Sequence, residues 1–328
     1  MYYIESQQLD PEWNLALEQY VFDRLGPRED CFMLWQNDRA VIVGKHQNTV
    51  EEVNAGYVKE HGVKVVRRLS GGGAVYHDLG NINFTFVSGY EGSSFDFASF
   101  CRPVVEALHS IGVPAEINGR NDMTIEGKKF SGNAQYMKHG HVMHHGTLMF
   151  HSDLEAIGQA LAVKTDKIES KGLKSVRSRV TNIKPYAPEG MTTRAFWSIL
   201  RDHMFRAYDL KPYILTDGEL AEVDRLRREV YSTWEWNYGA SPACRIVKRR
   251  RIEGVGGLEI HMDLENGRLS GLCFYGDYFG NGDSSRLAAR LMGQPLDAQA
   301  LRPVLAAADV GQYFAGITAE QLLDALLC

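Results

Sequence analysis

The chain has 328 residues, 44% of them hydrophobic and 23% charged, with a formal net charge of −5. That length and mixture fit a globular protein with one large domain and a smaller one. The acidic balance disfavours nonspecific attraction to nucleic acid overall while leaving room for local basic patches, and no run of 18 apolar residues offers a membrane span.

Residues 2–5 are expected to form a short strand. Asp10-Pro11 then opens a helix, with Asp at the N-cap and Pro at the first helical position. Trp13, Leu17, Tyr20, Val21 and Leu25 recur at helical spacing until Gly26-Pro27 stops them. Residues 31–35 and 40–44 are expected to pair as strands joined at Asn37-Asp38. A polar loop, Lys45-His46-Gln47-Asn48, leads to a helix over 51–61 and a strand over 63–67. Three glycines and a second short strand over 74–77 follow. Residues 81–87 alternate, with Ile82, Phe84 and Phe86 on one face and Asn81, Asn83 and Thr85 on the other.

Phe97, Phe100, Cys101, Val104, Val105, Leu108 and Ile111 make the apolar stripe of a helix of about four turns. Strands are expected over 115–118, 122–125, 128–136 and 142–150, with Glu126-Gly127 as a tight turn. Ser152 and Glu155 have the spacing of a capping box. Residues 164–185 are expected to be mostly loop, and helices over 193–207 and 216–231 follow, the second capped by Thr216 and Glu219. Aromatic and turn residues over 234–242 mark a domain junction. Beyond it come strands over 246–252 and 257–264, an Asn266-Gly267 hairpin turn and a strand over 268–275. Helices over 284–292, 297–306 and 318–327, the last capped by Thr318 and Gln321, complete an α+β unit of about 80 residues. The expected division is residues 1–240 and 241–328.

Three constellations carry chemistry. The first is Arg67-Arg68-Leu69-Ser70-Gly71-Gly72-Gly73-Ala74-Val75-Tyr76-His77-Asp78. Successive glycines let backbone amides approach a ligand, and the two arginines offer charge suited to a carboxylate or phosphate. Neither the dinucleotide fingerprint nor the P-loop fits, because these glycines run directly into strand-like residues. The second is Gly119-Arg120-Asn121-Asp122 with Gly127-Lys128-Lys129-Phe130-Ser131-Gly132-Asn133-Ala134. Alternation puts Lys128 and Lys129 on opposite faces, so one of them meets the ligand-bearing side. Asp122 either serves Mg²⁺ bound with a nucleotide phosphate or caps a turn. The third is the basic stretch Lys171-Gly172-Leu173-Lys174-Ser175-Val176-Arg177-Ser178-Arg179-Val180-Thr181-Asn182, suited to covering a phosphate. Taken singly, each also reads as a solvated loop. His139, His141, His144 and His145 match no metal-ligand spacing. Lys248-Arg249-Arg250-Arg251 reads as the solvated face of an edge strand, or as a dock for an acidic partner.

Together these motifs, with His145-Gly146-Thr147, closely resemble the lipoate–protein ligases, in the family's order and at its approximate spacing. The resemblance is strong over residues 2–185 and weaker through the C-terminal unit. It implies a biotin/lipoate ligase-like catalytic domain, related to class II aminoacyl-tRNA synthetases, with mixed sheets flanked by helices. It also implies ATP and Mg²⁺ as cofactors, lipoate as substrate and lipoyl-AMP as intermediate. The implied acceptors are lysines of 2-oxoacid dehydrogenase E2 lipoyl domains and of glycine-cleavage H protein. By motif position Lys129 is the catalytic residue. Arg68, Ser70, Gly71, Gly72, Gly73, Ala74, Val75 and His77 would bind lipoate with it. Asn121, Asp122, Ser131, Gly132, Ala134, Ser175, Arg177 and Thr181 would serve the nucleotide, Asp122 through Mg²⁺. One departure is Tyr136, where some members carry arginine.

Five scattered cysteines with no CxxC pair, and no signal peptide over the first residues, fit a cytoplasmic protein. A monomer is expected, with no nucleic acid and no membrane. A rival of the same fold would pass an acyl group through a cysteine thioester without ATP, and needs an activated thiol. A second would bind lipoate without chemistry and would not need Lys129.

Overall fold

The computed structural model describes residues 1–90, 96–119, 121–161, 179–252, 256–276 and 282–328. They form two compact units, residues 1–47 with 57–233, and residues 48–56 with 234–328.

The first unit is built on an eight-stranded mixed sheet. Its strands in chain order are β1 (Tyr2–Glu5), β2 (Cys31–Trp35), β6 (Asn81–Gly89), β7 (Ala115–Asn118), β8 (Asp122–Ile125), β9 (Lys128–Lys138), β10 (His141–Met149) and β11 (Lys211–Pro212). The spatial order is β11-β1-β2-β6-β10-β9-β8-β7. A second sheet has β3 (Ala40–Val43) between β4 (Lys64–Arg67) and β5 (Val75–His77), parallel to the first and antiparallel to the second.

This corrects the expected pairing of residues 31–35 with 40–44, since β2 pairs with β1 and β6 and lies in the other sheet. The physical reason lies in Asn37. Its side chain is fully buried and bound to Asn14 and His77, so residues 36–39 cross between sheets instead of forming an exposed turn.

One face of the large sheet packs on α4 (Phe97–His109) and the helix Thr193–Ala207. Phe32, Leu34, Phe84, Phe86, Val104, Leu108, Phe130, Phe150, Phe196 and Leu200 join one core there. Each such side chain contributes roughly 1.5–3 kcal/mol on burial. The opposite face of β6 is also closed to solvent, and Asn81, Asn83 and Thr85 are all buried. Burying three polar side chains in a row costs stability unless partners are supplied, and α1 (Pro11–Tyr20) helps to supply them.

Two further corrections are local. The helix expected over 51–61 is broken into α2 (Thr49–Glu52) and α3 (Ala55–His61), because Val53 is extended. The N-cap of α5 (Leu154–Ala160) is Asp153, whose carboxylate accepts from the Glu155 and Ala156 amides; the neighbouring Ser152 is buried beside Asn182. The capping boxes at Thr216 and Thr318 form as expected.

In the second unit β12 (Cys244–Ile252), β13 (Gly256–Glu265) and β14 (Arg268–Gly276) make an antiparallel sheet. Asn266 and Gly267 turn the β13–β14 hairpin with φ of 49° and 70°, as a type I′ turn requires. Leu258, Ile260, Met262, Leu272 and Phe274 pack under the helices Ser284–Leu291, Ala298–Ala306 and Ala319–Leu327. The basic run falls on the edge strand β12, where Arg249 is paired to Glu259 at 2.7 Å.

Candidate active site

The register between β8 and β9 slips by one residue. Met123 faces Ser131 while Thr124 faces Lys129, which leaves Phe130 as the extra residue of a bulge. Phe130 and Ser131 are consequently both buried, and the bulge re-aims Lys129. The Lys129 backbone is clamped as well. Its amide donates to the Arg179 carbonyl at 2.8 Å, and its carbonyl accepts from the Thr181 amide at 2.9 Å. Thr181 therefore reaches the site through its backbone. Lys129 Nζ lies 2.7 Å from Asp122 Oδ1, with both side chains more than a third exposed. A pair that open to water is worth about 1 kcal/mol or less, so an incoming anion can displace it.

Gly132 gives the ammonium its room, since a Cβ at that position would lie 2.9 Å from Lys129 Nζ. The mobile end of a lysine can yield, so the expected cost falls on geometry and not on folding. Gly132→Ala is predicted to lower turnover by roughly 10–100-fold while changing stability by less than about 1 kcal/mol, read from steady-state rates and thermal melts.

The two arginines before the triple glycine are bonded within the protein. Arg67 Nη1 donates to the carbonyls of Gly44, Lys45 and Gln47. Arg68 donates to the Ile42, Gly71 and Gly73 carbonyls and, through Nε, to Ser70 Oγ. They staple the loop. Burial lowers both pKa values to about 10, which leaves both groups charged at neutral pH. Gly44 is required for the same packing, because a Cβ there would fall 2.0 Å from the Gly72 carbonyl oxygen.

Behind the loop runs a chain of satisfied polar groups. Ser70 Oγ lies 2.6 Å from His145 Nε2, and His145 Nδ1 lies 2.9 Å from Glu18 Oε1. The same carboxylate oxygen accepts from Thr85 Oγ1, which in turn accepts from Trp35 Nε1. The Arg68 guanidinium and the Glu18 carboxylate thus balance inside one network, and all six residues are buried.

Between this network and Lys129 lies a cleft of about 630 Å³. Leu15, Trp35, Ile42 and Val75 give it apolar walls, His77, Asn83, Asn133 and His145 supply neutral or paired polar groups, and Lys129 and Asn121 border it. Of the residues proposed from sequence, Arg68, Gly72, Gly73, Ala74, Val75, His77, Asn121, Lys129, Gly132 and Ala134 line this cleft. Gly71 lines an adjoining one of about 1150 Å³, shared with Lys45, His46 and Tyr136. There Lys45 Nζ stands 5.1 Å over the Tyr136 ring, which puts a cation beside the residue that departs from the family pattern. Ser70 and Ser131 sit behind the wall, the Ser131 hydroxyl facing Asn133 Nδ2 at 3.3 Å. Ser175 and Arg177 lie outside the described residues. Sequence reasoning missed Glu18, Trp35 and Asn83, and named Asn133 within the second constellation without giving it a role. For Glu18 a signal existed, because Asn14 and Glu18 place two polar side chains one turn apart on the buried face of α1.

Residues 10–205 match the family model described as the lipoyl protein ligase A/B catalytic domain, and residues 241–326 match that for the bacterial lipoate protein ligase C-terminus. The chain belongs to the lipoate–protein ligase family. It is 43% identical to the lipoate-protein ligase LplJ of Bacillus subtilis over 99% of each chain. It is also 40% identical to lipoate–protein ligase 1 of Staphylococcus aureus over 96% of each. Among solved structures, the bipartite lipoate protein ligase of Thermoplasma acidophilum aligns with a TM-score of 0.64 at 29% identity, over 73% of this chain and 96% of that one. A lipoate-protein ligase A bound with ATP aligns with a TM-score of 0.61 at 26% identity, over 73% and 98%.

The cysteines of this ligase do not offer the thiolate that the transferase rival needs. None lines either cleft among the described residues, and burial raises the Cys31 and Cys101 thiols to about 12. His144 stacks on Phe100 and lies 3.0 Å from Gln135 Nε2, on the other side of β10 from the His145 network. Burial lowers His77 and His144 to about 3, so both are neutral in the folded ligase. An unfolded chain binds those protons near pH 6.5. The stability they contribute is therefore complete above that value and is lost as pH falls toward the folded values. Each histidine is predicted to add about 1.4 kcal/mol per pH unit to the loss of stability between pH 6 and 4. His144→Phe should flatten that slope by one proton, as measured by urea unfolding across pH.

Proposed function

We propose that this ligase activates lipoate with ATP to lipoyl-AMP, releasing pyrophosphate, and then acylates a lysine amine of an acceptor protein. The observation that carries this reading is one solvent-exposed cation, Lys129, bordering a cleft whose other cation, Arg68, is buried and bonded to carbonyls, and whose remaining walls are apolar, neutral or paired. A carboxylate at Lys129 with its alkyl tail along Leu15, Trp35, Ile42 and Val75 matches that charge distribution.

A carboxylate does not acylate an amine directly, because oxide is a poor leaving group. In the first step a carboxylate oxygen attacks the α-phosphorus and pyrophosphate leaves. In the second the acceptor amine attacks the acyl carbon and AMP leaves. Lys129 gives up Asp122 and holds the substrate carboxylate and the α-phosphate, so that charge developing in each step meets a fixed cation. The amides of Gly71, Gly72 and Gly73, with Ala74 and Val75, shape the wall beside the acyl chain. Ser70 and Arg68 keep that loop in place.

Asn121, Ser131, Gly132, Ala134, Ser175, Arg177 and Thr181 are assigned to the nucleotide side. Once released by Lys129, Asp122 supplies the single carboxylate that Mg²⁺ commonly takes together with substrate phosphates. The metal would neutralise phosphate charge there. The proposed acceptors are E2 lipoyl domains and glycine-cleavage H protein. Residues 1–240 form the catalytic part in this reading, and residues 241–328 are accessory. We further assign the ligase to the cytoplasm, as a monomer. Among the described residues no helix is long and apolar enough to cross a membrane.

The test is mass spectrometry of an apo lipoyl domain incubated with the ligase, lipoate, ATP and Mg²⁺. A lipoyl adduct that needs ATP and survives in the Cys31→Ser, Cys101→Ser double variant is expected. An adduct formed without ATP from an acylated protein donor, and lost in that variant, would replace this reading with the thioester mechanism.

A further inference from the structure

The strand that carries Lys129 is uncovered along part of one side. β9 runs to Lys138, but β8 accompanies it only over residues 128–132, and Asn121 adds one more rung. There the Asn133 amide donates to the Asn121 carbonyl at 3.0 Å, and the Asn133 carbonyl accepts from Asn121 Nδ2 at 2.8 Å. Backbone groups of alternate residues point the same way, so Gln135 and Met137 also turn their N–H and C=O groups away from β10. Among the described residues no strand lies on that side of them, since β10 pairs along the other. An open row of donors and acceptors is what a sheet edge offers to an incoming strand, and proteins ordinarily blunt such edges.

This edge forms one side of the larger cleft, of about 1150 Å³, which Gln135 and Met137 line together with Lys45, His46, Leu69 and Phe97. Gly72, Asn121, Asn133 and Ala134 line both this cleft and the one that Lys129 borders, so the two meet there. The distance along β9 is short. A Cβ on Gly132 would touch Lys129 Nζ, and Gln135 lies three residues further, roughly 10 Å at the rise of an extended strand. A strand added beside Gln135 and Met137 would lie about 4.8 Å from β9, and the four-carbon stem of a lysine at its end would lead toward the acyl carbon held at Lys129. The nucleotide does not compete for this space in the reading above, because residues 179–181 join β9 at Lys129, near its other end.

We propose that the edge of β9 at Gln135 and Met137 receives an extended segment of the acceptor polypeptide, which adds to the sheet as a strand and carries its lysine to the acyl-adenylate. This inference rests on the ligase reading above and names how the second substrate of that reaction is held. Main-chain hydrogen bonds supply the affinity in such an addition and read no side-chain sequence, so one edge can serve acceptors that differ in sequence.

Met137→Pro tests the proposal. Proline removes the N–H that Met137 offers at the edge and leaves the rungs to β10 in place, which is the position where a strand tolerates it. Lipoate-dependent pyrophosphate release should stay within about twofold of the wild type, whereas KM for an apo lipoyl domain in lipoyl transfer is expected to rise about tenfold. An unchanged KM in a folded Met137→Pro overturns the proposal, and so does pyrophosphate release that falls together with transfer. If the ligase reading itself were wrong, the wild type would release no pyrophosphate with lipoate and ATP.

If Met137→Pro does not fold, hydrogen exchange in the wild type decides the question. With lipoate, ATP and a lipoyl domain whose acceptor lysine is replaced by methionine, the Gln135 and Met137 amides should exchange at least about tenfold more slowly than without that domain. Unchanged exchange overturns the proposal. So does slowing that follows ligase concentration alone, which would put a second copy of the chain on the edge.

Discussion

Lys129→Ala is expected to lower lipoate-dependent pyrophosphate release by about 10²–10³-fold, the range typical of losing one preorganised group that stabilises transition-state charge. In the proposed reaction that role falls to a single side chain. The arginines before the triple glycine are already committed, Arg67 to three carbonyls and Arg68 to three carbonyls and a hydroxyl, so neither is expected to substitute. Little stability should be lost, because the Lys129–Asp122 pair is solvent-exposed and worth about 1 kcal/mol or less. A melt close to that of the wild type, together with a rate loss of that size, separates a catalytic lysine from a structural one. If the deficit lay mainly in KM, Lys129 would hold the substrate without assisting the chemistry.

Arg68→Lys should act in the opposite way, through folding. Lysine keeps the charge but loses the planar fork that reaches Ile42, Ser70, Gly71 and Gly73 together. It would leave buried carbonyls without donors, while the charge that balances the Glu18 carboxylate is kept. A hydrogen bond to a charged group contributes about 1.5–3 kcal/mol, so losing two of the four implies a destabilisation of roughly 3 kcal/mol or more. For a unit of this size that corresponds to a thermal midpoint about 6–12 °C lower. Lipoate binding should weaken as well, because Gly72 to Val75 form part of the cleft wall that Arg68 holds. Calorimetric melts and lipoate titration together check both effects.

The local architecture was largely legible in the residues, for identifiable reasons. Capping boxes at Thr216 and Thr318 and the Asn266-Gly267 turn depend on contacts within a few residues, and they form as the sequence predicts. The alternation of residues 81–87 was visible too, but its meaning was not. Asn81, Asn83 and Thr85 look like a solvent face, whereas they are the buried polar floor near the site. Glu18 and Trp35 were missed for the same reason. Their partners are Thr85 and His145, 50 to 127 residues away, and no local pattern announces a pairing of that range.

The arginine pair carries bonding that composition does not show. Arg67 and Arg68 beside a glycine loop imply ligand contact by composition, but the carbonyls of the loop and of residues 42–47 claim their donors first. Strand pairing failed at residues 31–44 because a buried asparagine, not a turn, occupies the connection. Lys129 borders the cleft. The bulge that aims it there, however, was invisible, since a single extra residue leaves the alternation of β9 nearly unchanged.

In the proposed reaction Lys129 drives acid activation by ATP without a protein thioester. Lipoate-dependent exchange of labelled pyrophosphate into ATP tests it most directly, because exchange requires reversible adenylate formation and nothing later. Exchange is expected to need lipoate and Mg²⁺, to fall at least about a hundredfold in Lys129→Ala, and to persist in the Cys31→Ser, Cys101→Ser double variant. Exchange retained in Lys129→Ala, or absent from a wild type that still lipoylates from an acylated donor, would contradict it.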